Sequence, residues 1–296
     1  MALPPNVPKS AMDTYVPIKL ISESANGLIL AVIPKNLVGP THSSLLALRI
    51  PRAKEEREAF LEQLENLLDI NSRRITKVID YDLRGNWYVT SFCHGYDLQY
   101  LKENLFQDGF PPFLICKIFD EVMAAQGAEL MPKWICHADL RGSNIMLTPA
   151  KKEELPIVRI VHLKGIRVWD EQAVVDQVIG LLRYLTNSAS CIPEKYRTNK
   201  KRDKLKYVIE DEDTNSLRIG DDFYSFIANY DLEGRISWDD LKSSWVNEAT
   251  ALMKELYDEE RLTEVMELIM EPKVTAEELR EAIEDGGIDI IDDRDL

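Results

Sequence analysis

This sequence lacks long apolar runs, paired cysteines and the features of a secretory signal. No run reaches the roughly 18 apolar residues that a membrane-spanning helix needs, so the sequence disfavours a membrane protein. The cysteines Cys93, Cys116, Cys136 and Cys191 are widely separated, which disfavours a disulfide framework or a zinc site and predicts reduced thiols. The first residues carry neither the charged nor the apolar block of a secretory signal, so we expect a cytoplasmic protein.

Positive charge is also scarce. The chain has 36 basic residues against 51 acidic ones and a formal net charge of -15, which repels phosphate backbones and disfavours nucleic-acid binding. Hydrophobic residues make up 45% of the chain, enough for a folded core. One basic run, residues 195–206, contrasts with the acidic remainder. It is interpreted either as a docking patch for an acidic partner or a nucleic acid, or as a solvated loop facing the rest of the chain.

The spacing of apolar residues divides the chain into two parts. Short β-like runs interrupted by a single helix predict a small sheet up to about residue 91, and helical periodicity dominates beyond Gly95. Thr275 and Glu278 have the spacing of a capping box, so a helix is expected to begin there. The predicted strands cover residues 17–21, 28–33, 45–50, 75–81 and 87–91, and the helix between the third and fourth covers 55–69.

The segment from His137 to Asn144 carries the clearest chemical motif. It has the pattern His-x-Asp-Leu-x-x-x-x-Asn between two apolar runs, with Asp139 and Asn144 at its polar positions. This pattern resembles the catalytic loop of the protein kinase superfamily. In that loop the aspartate accepts the proton of the substrate hydroxyl and the asparagine holds a magnesium ion. The resemblance therefore implies Asp139 and Asn144 as catalytic residues, either active or vestigial.

Three further landmarks support the resemblance, whose match in element order covers about residues 15–284. Ala47 and Arg49 stand where kinases carry Ala-x-Lys on the third strand, and Phe92 and Cys93 lie in a segment similar to the hinge between the lobes. Gly27 stands where the last glycine of the phosphate-binding loop is found. The resemblance implies that these five residues line a nucleotide site.

The same resemblance implies a bilobal α+β fold. Residues 14–95 would form a small, mostly antiparallel β lobe with one helix, and residues 96–284 a larger helical lobe. A flexible arm, residues 1–13, would precede the lobes. An acidic tail, residues 285–296, would follow them and is expected to be disordered.

The sequence departs from the kinase pattern where the phosphates would bind. The phosphate loop keeps only Gly27 and places Glu23 where a phosphate would come. Arg49 replaces the strand lysine, and a planar guanidinium is a poor substitute for a compact ammonium. The helix glutamate that normally pairs with that lysine would be Gln63, with Glu62 and Glu65 close to the same position.

The most consequential departure from the kinase pattern is the lack of the magnesium-binding aspartate. His162 aligns with it best, with Leu163 one residue on, and neither supplies the hard oxygen that magnesium demands. Asp170 could substitute only in a different strand register. We therefore predict no metal site.

The segment that would hold a peptide substrate is also nearly absent. Only about ten residues separate Gly165 from Asp176, and no Ala-Pro-Glu anchor is found. Lys273 replaces the arginine that pairs with this anchor in kinases. Phosphorylation of peptides by the usual route is disfavoured.

Two hypotheses follow. The first is a pseudokinase that works through a protein partner, as a scaffold or as an allosteric regulator of an active enzyme. The alternative is an active, atypical phosphotransferase that uses Asp139 as its base and transfers phosphate to a small molecule, or transfers a nucleotide. No cofactor is fixed by the residues. If ATP binds, it does so weakly or without magnesium, and Arg49 is the expected contact.

Overall fold

A computed structural model describes residues 7–24, 27–37, 41–107, 109–150, 154–186 and 236–285. The basic run 195–206, Cys191 and nearly all of the acidic tail lie outside these residues. Within the described ranges, no helix combines the length and apolar character needed to cross a membrane.

The first lobe contains a five-stranded antiparallel sheet with one helix between its third and fourth strands, as the sequence predicts. The strand order is β1-β2-β3-β5-β4, and α2 connects β3 to β4. A short helix, α1, precedes the sheet. These elements are α1 (Lys9–Thr14), β1 (Tyr15–Ser24), β2 (Gly27–Pro34), β3 (Leu46–Pro51), α2 (Lys54–Leu68), β4 (Val78–Tyr81) and β5 (Tyr88–Ser91).

Alternation along β2 explains how the sheet buries both faces. Leu28 and Leu30 point into one apolar cluster, while Ala31 and Ile33 point into another on the opposite face. Because side chains alternate with a period of two, a strand buried on both faces reads as a continuous apolar run.

Part of the predicted flexible arm is ordered against this sheet. Ala11 of α1 is fully buried, and the indole of Trp87 donates a hydrogen bond of 2.8 Å to the hydroxyl of Ser10. The structure thus places residues 9–13 in the small lobe, because the apolar side of α1 covers one edge of its core.

The second lobe is mainly helical and is built around α4, which is buried along most of its length. Two small sheets lie beside it, with strand orders β6-β8-β9 and β10-β7. The elements are β6 (Tyr96–Asp97), α3 (Leu98–Asn104), α4 (Pro112–Ala124), a π-helical turn (Ala125–Leu130), β7 (Ile135–His137), β8 (Ile145–Thr148), β9 (Ile157–Ile160), β10 (Ile166–Val168), α5 (Glu171–Thr186), α6 (Trp238–Asp240), a second π-helical turn (Leu241–Trp245), α7 (Val246–Glu255), α8 (Glu259–Met270) and α9 (Ala276–Asp285).

Hydrogen bonds and ion pairs connect the lobes before β4. The backbone N–H and the hydroxyl of Thr76 both donate to the carbonyl of Ile160, at 3.0 and 2.8 Å. The buried carboxylate of Glu121 on α4 accepts from Lys117 at 2.5 Å, from Arg73 at 3.2 Å and from Arg74. Burial alone would raise the pKa of Glu121, but these three cations outweigh burial and lower it.

The capping box predicted for α9 is confirmed. The N–H of Glu278 donates to the Thr275 hydroxyl at 3.1 Å, and the Glu278 carboxylate accepts from the N–H of Thr275 at 2.8 Å. Two otherwise unpaired donors at the start of α9 are satisfied in this way.

The packing of α9 differs from the sequence interpretation, which assigned it to the larger lobe. Val274, Leu279 and Ile283 are buried against β1 and β2 of the small lobe. Lys19 of β1 forms an ion pair of 2.8 Å with Glu278. The segment from the end of α8 to α9 therefore runs from the large lobe to the small one. Periodicity identified the apolar stripe of α9 but could not identify the surface that covers it.

Candidate functional site

A cavity of about 540 Å³ lies between the lobes. Its size is within the range of small-molecule sites. Four of the residues predicted for a nucleotide site line it, and the fifth, Gly27, lines an adjoining cavity of about 50 Å³. The lining of the larger cavity includes Lys19, Ile29, Ala47, Arg49, Phe92, Cys93, Tyr96, Asp97, Ser143, Met146, Val161, His162, Pro272 and Lys273.

Arg49 of β3 extends across the inner end of this cleft. Its Nη2 donates to the carbonyl of Val161 at 2.7 Å, and its Nη1 lies 3.1 Å from Nδ1 of His162. A guanidinium only donates, so Nδ1 of His162 must accept and the ring is neutral with its proton on Nε2. Arg49 is only 7% exposed, and its Nε has no hydrogen-bond partner among the described residues. The side chain of Gln63, the expected partner from α2, lies outside what the structure describes.

Glu23 and Asp170, which the sequence analysis considered for the phosphate and metal positions, form contacts with other residues. Glu23, expected near the phosphates, pairs with Arg52 at 2.5 Å. Asp170, the alternative metal ligand, accepts the N–H of Ala173 at 3.0 Å and so caps the start of α5. Within the described ranges, no group of three His, Cys, Asp or Glu side chains is arranged to hold a metal ion.

His137 is fully buried and braces the catalytic-loop motif. Its Nδ1 accepts the N–H of Asp139 at 3.3 Å, and its Nε2–H donates to the carbonyl of His162. Burial lowers the pKa of His137, although the His162 carbonyl and Asp139 oppose the effect. The amide of Gln126 bonds both the N–H and the carbonyl of His137, at 3.1 and 2.7 Å. The imidazole is thus held neutral in one tautomer.

Asn144 and Asp139 bond mainly to their own loop. The amide nitrogen of Asn144 donates to the carbonyl of Asp139 at 2.8 Å, and the Asp139 carboxylate accepts from Nε of Arg141 at 2.5 Å. A Cβ added at Gly165 would lie 2.8 Å from Cβ of Asp139, so only glycine permits this close approach. The contacts favour bracing of the loop over metal binding by Asn144.

Gly27 is required by packing of the backbone. Its φ is +150°, and a Cβ built there would lie 2.3 Å from the carbonyl oxygen of Ile50 on β3. Close pairing of β2 with β3 therefore accounts for this glycine without a phosphate.

Cys93 lies among positive charges that sequence reasoning did not bring together. Burial raises the pKa of its thiol, and Arg159, Arg49 and Lys273 oppose that rise. Lys273 lines the cleft with its Nζ 5.0 Å from the ring centroid of Tyr96, and burial lowers its pKa. The sequence interpretation placed Lys273 at the position of the anchor-pairing arginine and did not predict that its side chain lines the cleft.

Comparisons with known proteins add little to these observations. No protein-family model matches the chain, and no curated protein sequence matches it. One solved structure that it resembles is the PknI kinase domain of Mycobacterium tuberculosis, with a TM-score of 0.47 and 16% sequence identity over 66% of this chain and 90% of that chain. The kinase-like fold is seen in the chain's own architecture. A five-stranded antiparallel sheet is followed by a mainly helical lobe, and Ser143 of the His137–Asn144 loop lines the cleft between them.

Proposed function

We propose that this protein is a kinase-like protein that does not transfer phosphate and that acts by binding another protein. The observation that carries the proposal is the pair formed by Arg49 and His162. The resemblance implies a lysine and a magnesium-binding aspartate at these positions. Here a guanidinium donates to a neutral imidazole, and this pair offers no carboxylate to a cation.

The loop residues support the same proposal. Phosphoryl transfer depends on neutralising the charge that develops on the phosphate oxygens, and magnesium supplies much of that neutralisation. The Asp139 carboxylate forms an ion pair of 2.5 Å with Arg141 and is therefore already engaged within its own loop. A base without its metal stabilises little of the charge in the transition state.

Trp134 supports a role in binding. This residue has a left-handed backbone with φ of 56°, which is strained for a side chain of its size, and its indole is 76% exposed. Large exposed aromatic side chains are frequent anchors of protein interfaces. Strain combined with exposure is typical of a residue kept for contact with another molecule.

The absence of phosphate or nucleotide transfer is tested with the full chain and with ATP labelled at either the α or the γ phosphate. Protein and small-molecule acceptors are supplied with magnesium or manganese, and the Asp139→Ala variant is run in parallel. We expect no labelled product that depends on Asp139. A product formed by the natural chain and lost in Asp139→Ala would overturn the proposal in favour of an active phosphotransferase.

The binding role is tested by quantitative co-purification from source cells. We expect the natural chain to co-purify with a partner at a ratio near one to one. The Trp134→Ser variant should no longer co-purify with that partner. Leu83→Ser is the matched control, since Leu83 is 82% exposed on the β4–β5 turn. A natural chain that purifies without any stoichiometric partner would contradict the role.

A further inference from the structure

The carboxy-terminal segment, residues 271–285, is anchored in both lobes. Ile269, on the last turn of α8 just before it, is fully buried in the core of the large lobe. Val274 and Ile283 are buried against β1 and β2 of the small lobe. Only five positions separate Ile269 from Val274, and five residues span at most about 18 Å. The two lobes therefore cannot move further apart at this point unless one of the anchors leaves its core.

The part of this segment that crosses between the lobes forms one wall of the cleft. Pro272 and Lys273 line the cavity together with Phe92 and Cys93, which lie in the connection between β5 and β6. The side chain of Phe92 also packs against the apolar cluster that anchors α9. Lys273 holds its Nζ 5.0 Å from the ring centroid of Tyr96, within the range of a cation–π attraction. The carboxy-terminal segment thus runs beside the connection between the lobes and borders the cavity next to Cys93.

Few contacts hold α9 in place. It has ten residues, and only Leu279 and Ile283 among them are buried. A helix shorter than about 12 residues is marginal in water, so α9 depends on its docking to remain helical. Lys19 and Glu278 pair across the contact at 2.8 Å, but both side chains are partly exposed, and such pairs contribute little. Loss of docking and loss of the helix therefore occur together, as a local event.

We propose that the carboxy-terminal segment is a releasable strap that closes the cleft beside the connection between the lobes. In the docked state Pro272 and Lys273 wall off this side of the cavity. When α9 leaves the small lobe, the wall opens, while Ile269 keeps α8 on the large lobe and the rest of the fold stays intact. The strap controls access to the cleft from within the chain. It requires neither the absence of phosphate transfer nor a protein partner, so its failure would leave the proposed function untouched.

Alkylation of cysteines in the full chain, followed by peptide mass mapping, measures this opening. Cys93 is 9% exposed and borders the strap, whereas Cys116 and Cys136 are fully buried in the large lobe and report global unfolding. Leu279→Ser removes a buried apolar side chain from the docked helix, so we expect Cys93 to react at least about tenfold faster. The two control cysteines should keep their rates. Arg280→Ser, at the exposed neighbouring position, is the matched control and should leave the Cys93 rate unchanged.

Two results of this experiment would overturn the proposal. If Cys93 reacts at the same rate in the natural chain and in Leu279→Ser, the docked segment does not close the cleft. If all three cysteines react faster in Leu279→Ser, the variant unfolds as a whole and α9 is not released separately from the rest of the fold.

A cross-link tests the strap in the opposite direction without weakening the fold. Lys19→Cys and Glu278→Cys are combined in one full chain, since the natural side chains meet across the contact of α9 with β1. A short reagent with two thiol-reactive groups joins the new cysteines and fixes α9 on the sheet. We expect Cys93 to react more slowly in the joined chain than in the same variant with its two new cysteines blocked separately. Equal rates in the joined and the blocked chain would show that release of α9 does not control access to Cys93, and the proposal would be wrong.

Discussion

The guanidinium of Arg49 and the imidazole of His162 are joined by a hydrogen bond of 3.1 Å between residues 113 positions apart in the chain. The pair links β3 of the small lobe to the segment that follows β9 of the large lobe. The resemblance assigns these two positions to the phosphate-binding lysine and the magnesium-binding aspartate. Because a guanidinium only donates, Nδ1 of His162 must be the acceptor.

A double-mutant cycle measures the pair directly. His162→Ala leaves Nη1 of Arg49 buried without an acceptor, so we expect a loss of about 1–2 kcal/mol in the free energy of unfolding. Arg49→Met removes the donor, and the double variant should show a coupling energy of about 1 kcal/mol. Denaturant unfolding of the four proteins checks this. Strictly additive effects would mean that the two side chains do not interact.

His137 predicts a pH dependence of stability. Its pKa in the folded protein lies below the ordinary value of 6.5, so between these two values the unfolded chain binds more protons than the folded one. Stability is therefore full above pH 6.5 and falls as the pH drops towards the folded pKa, by at most about 1.4 kcal/mol per pH unit. Unfolding is measured from pH 7.5 to 5 for the natural chain and His137→Gln.

His137→Gln is the control for the natural chain, because glutamine keeps a hydrogen-bond donor and an acceptor but cannot titrate. The carboxylates contribute equally to both proteins, so the difference between the two slopes isolates His137. Identical slopes below pH 6.5 would contradict a buried, neutral imidazole.

Glu121 is expected to be a stabilising centre of the interlobe contact. Glu121→Gln removes a buried carboxylate, 3% exposed, and leaves Lys117 and Arg74 without their shared partner. We expect a loss of about 3 kcal/mol in the free energy of unfolding. Glu264→Gln is the control, since Glu264 pairs with Arg261 at the surface, and there we expect less than about 0.5 kcal/mol. Equal losses in the two variants would refute the special role of Glu121.

The docking of α9 is tested by hydrogen exchange. Ile283→Ala removes buried apolar contact with β1 and β2, and by analogy with other cavity-forming substitutions this weakens the docking by about 2–4 kcal/mol. Amides of α9 and β1 should exchange faster, while those of α4 should not change. Glu284→Ala, at an exposed position on the same helix, is the control. Unchanged protection of α9 in Ile283→Ala would show that the helix does not depend on this contact.

Local patterns predicted local structure well. The alternation in β1 to β5, the stripe of α2 and the capping box at Thr275 and Glu278 all depend on residues close in sequence, and the structure confirms each of them.

Contacts between segments that are distant in the chain could not be predicted from the sequence. Arg49 was identified as a substitution, but its acceptor at His162 comes from the other lobe. Lys273 was missed as a cleft residue, because its position depends on where α9 docks. Residue spacing reports which face of an element is apolar and does not report the surface that it meets.

Titration of ATP by isothermal calorimetry, once with magnesium and once with EDTA, tests the central claim most directly. The Arg49–His162 pair offers magnesium no carboxylate, so we predict that magnesium gives no gain in affinity. A dissociation constant tenfold lower with magnesium, equal to about 1.4 kcal/mol, would contradict the account.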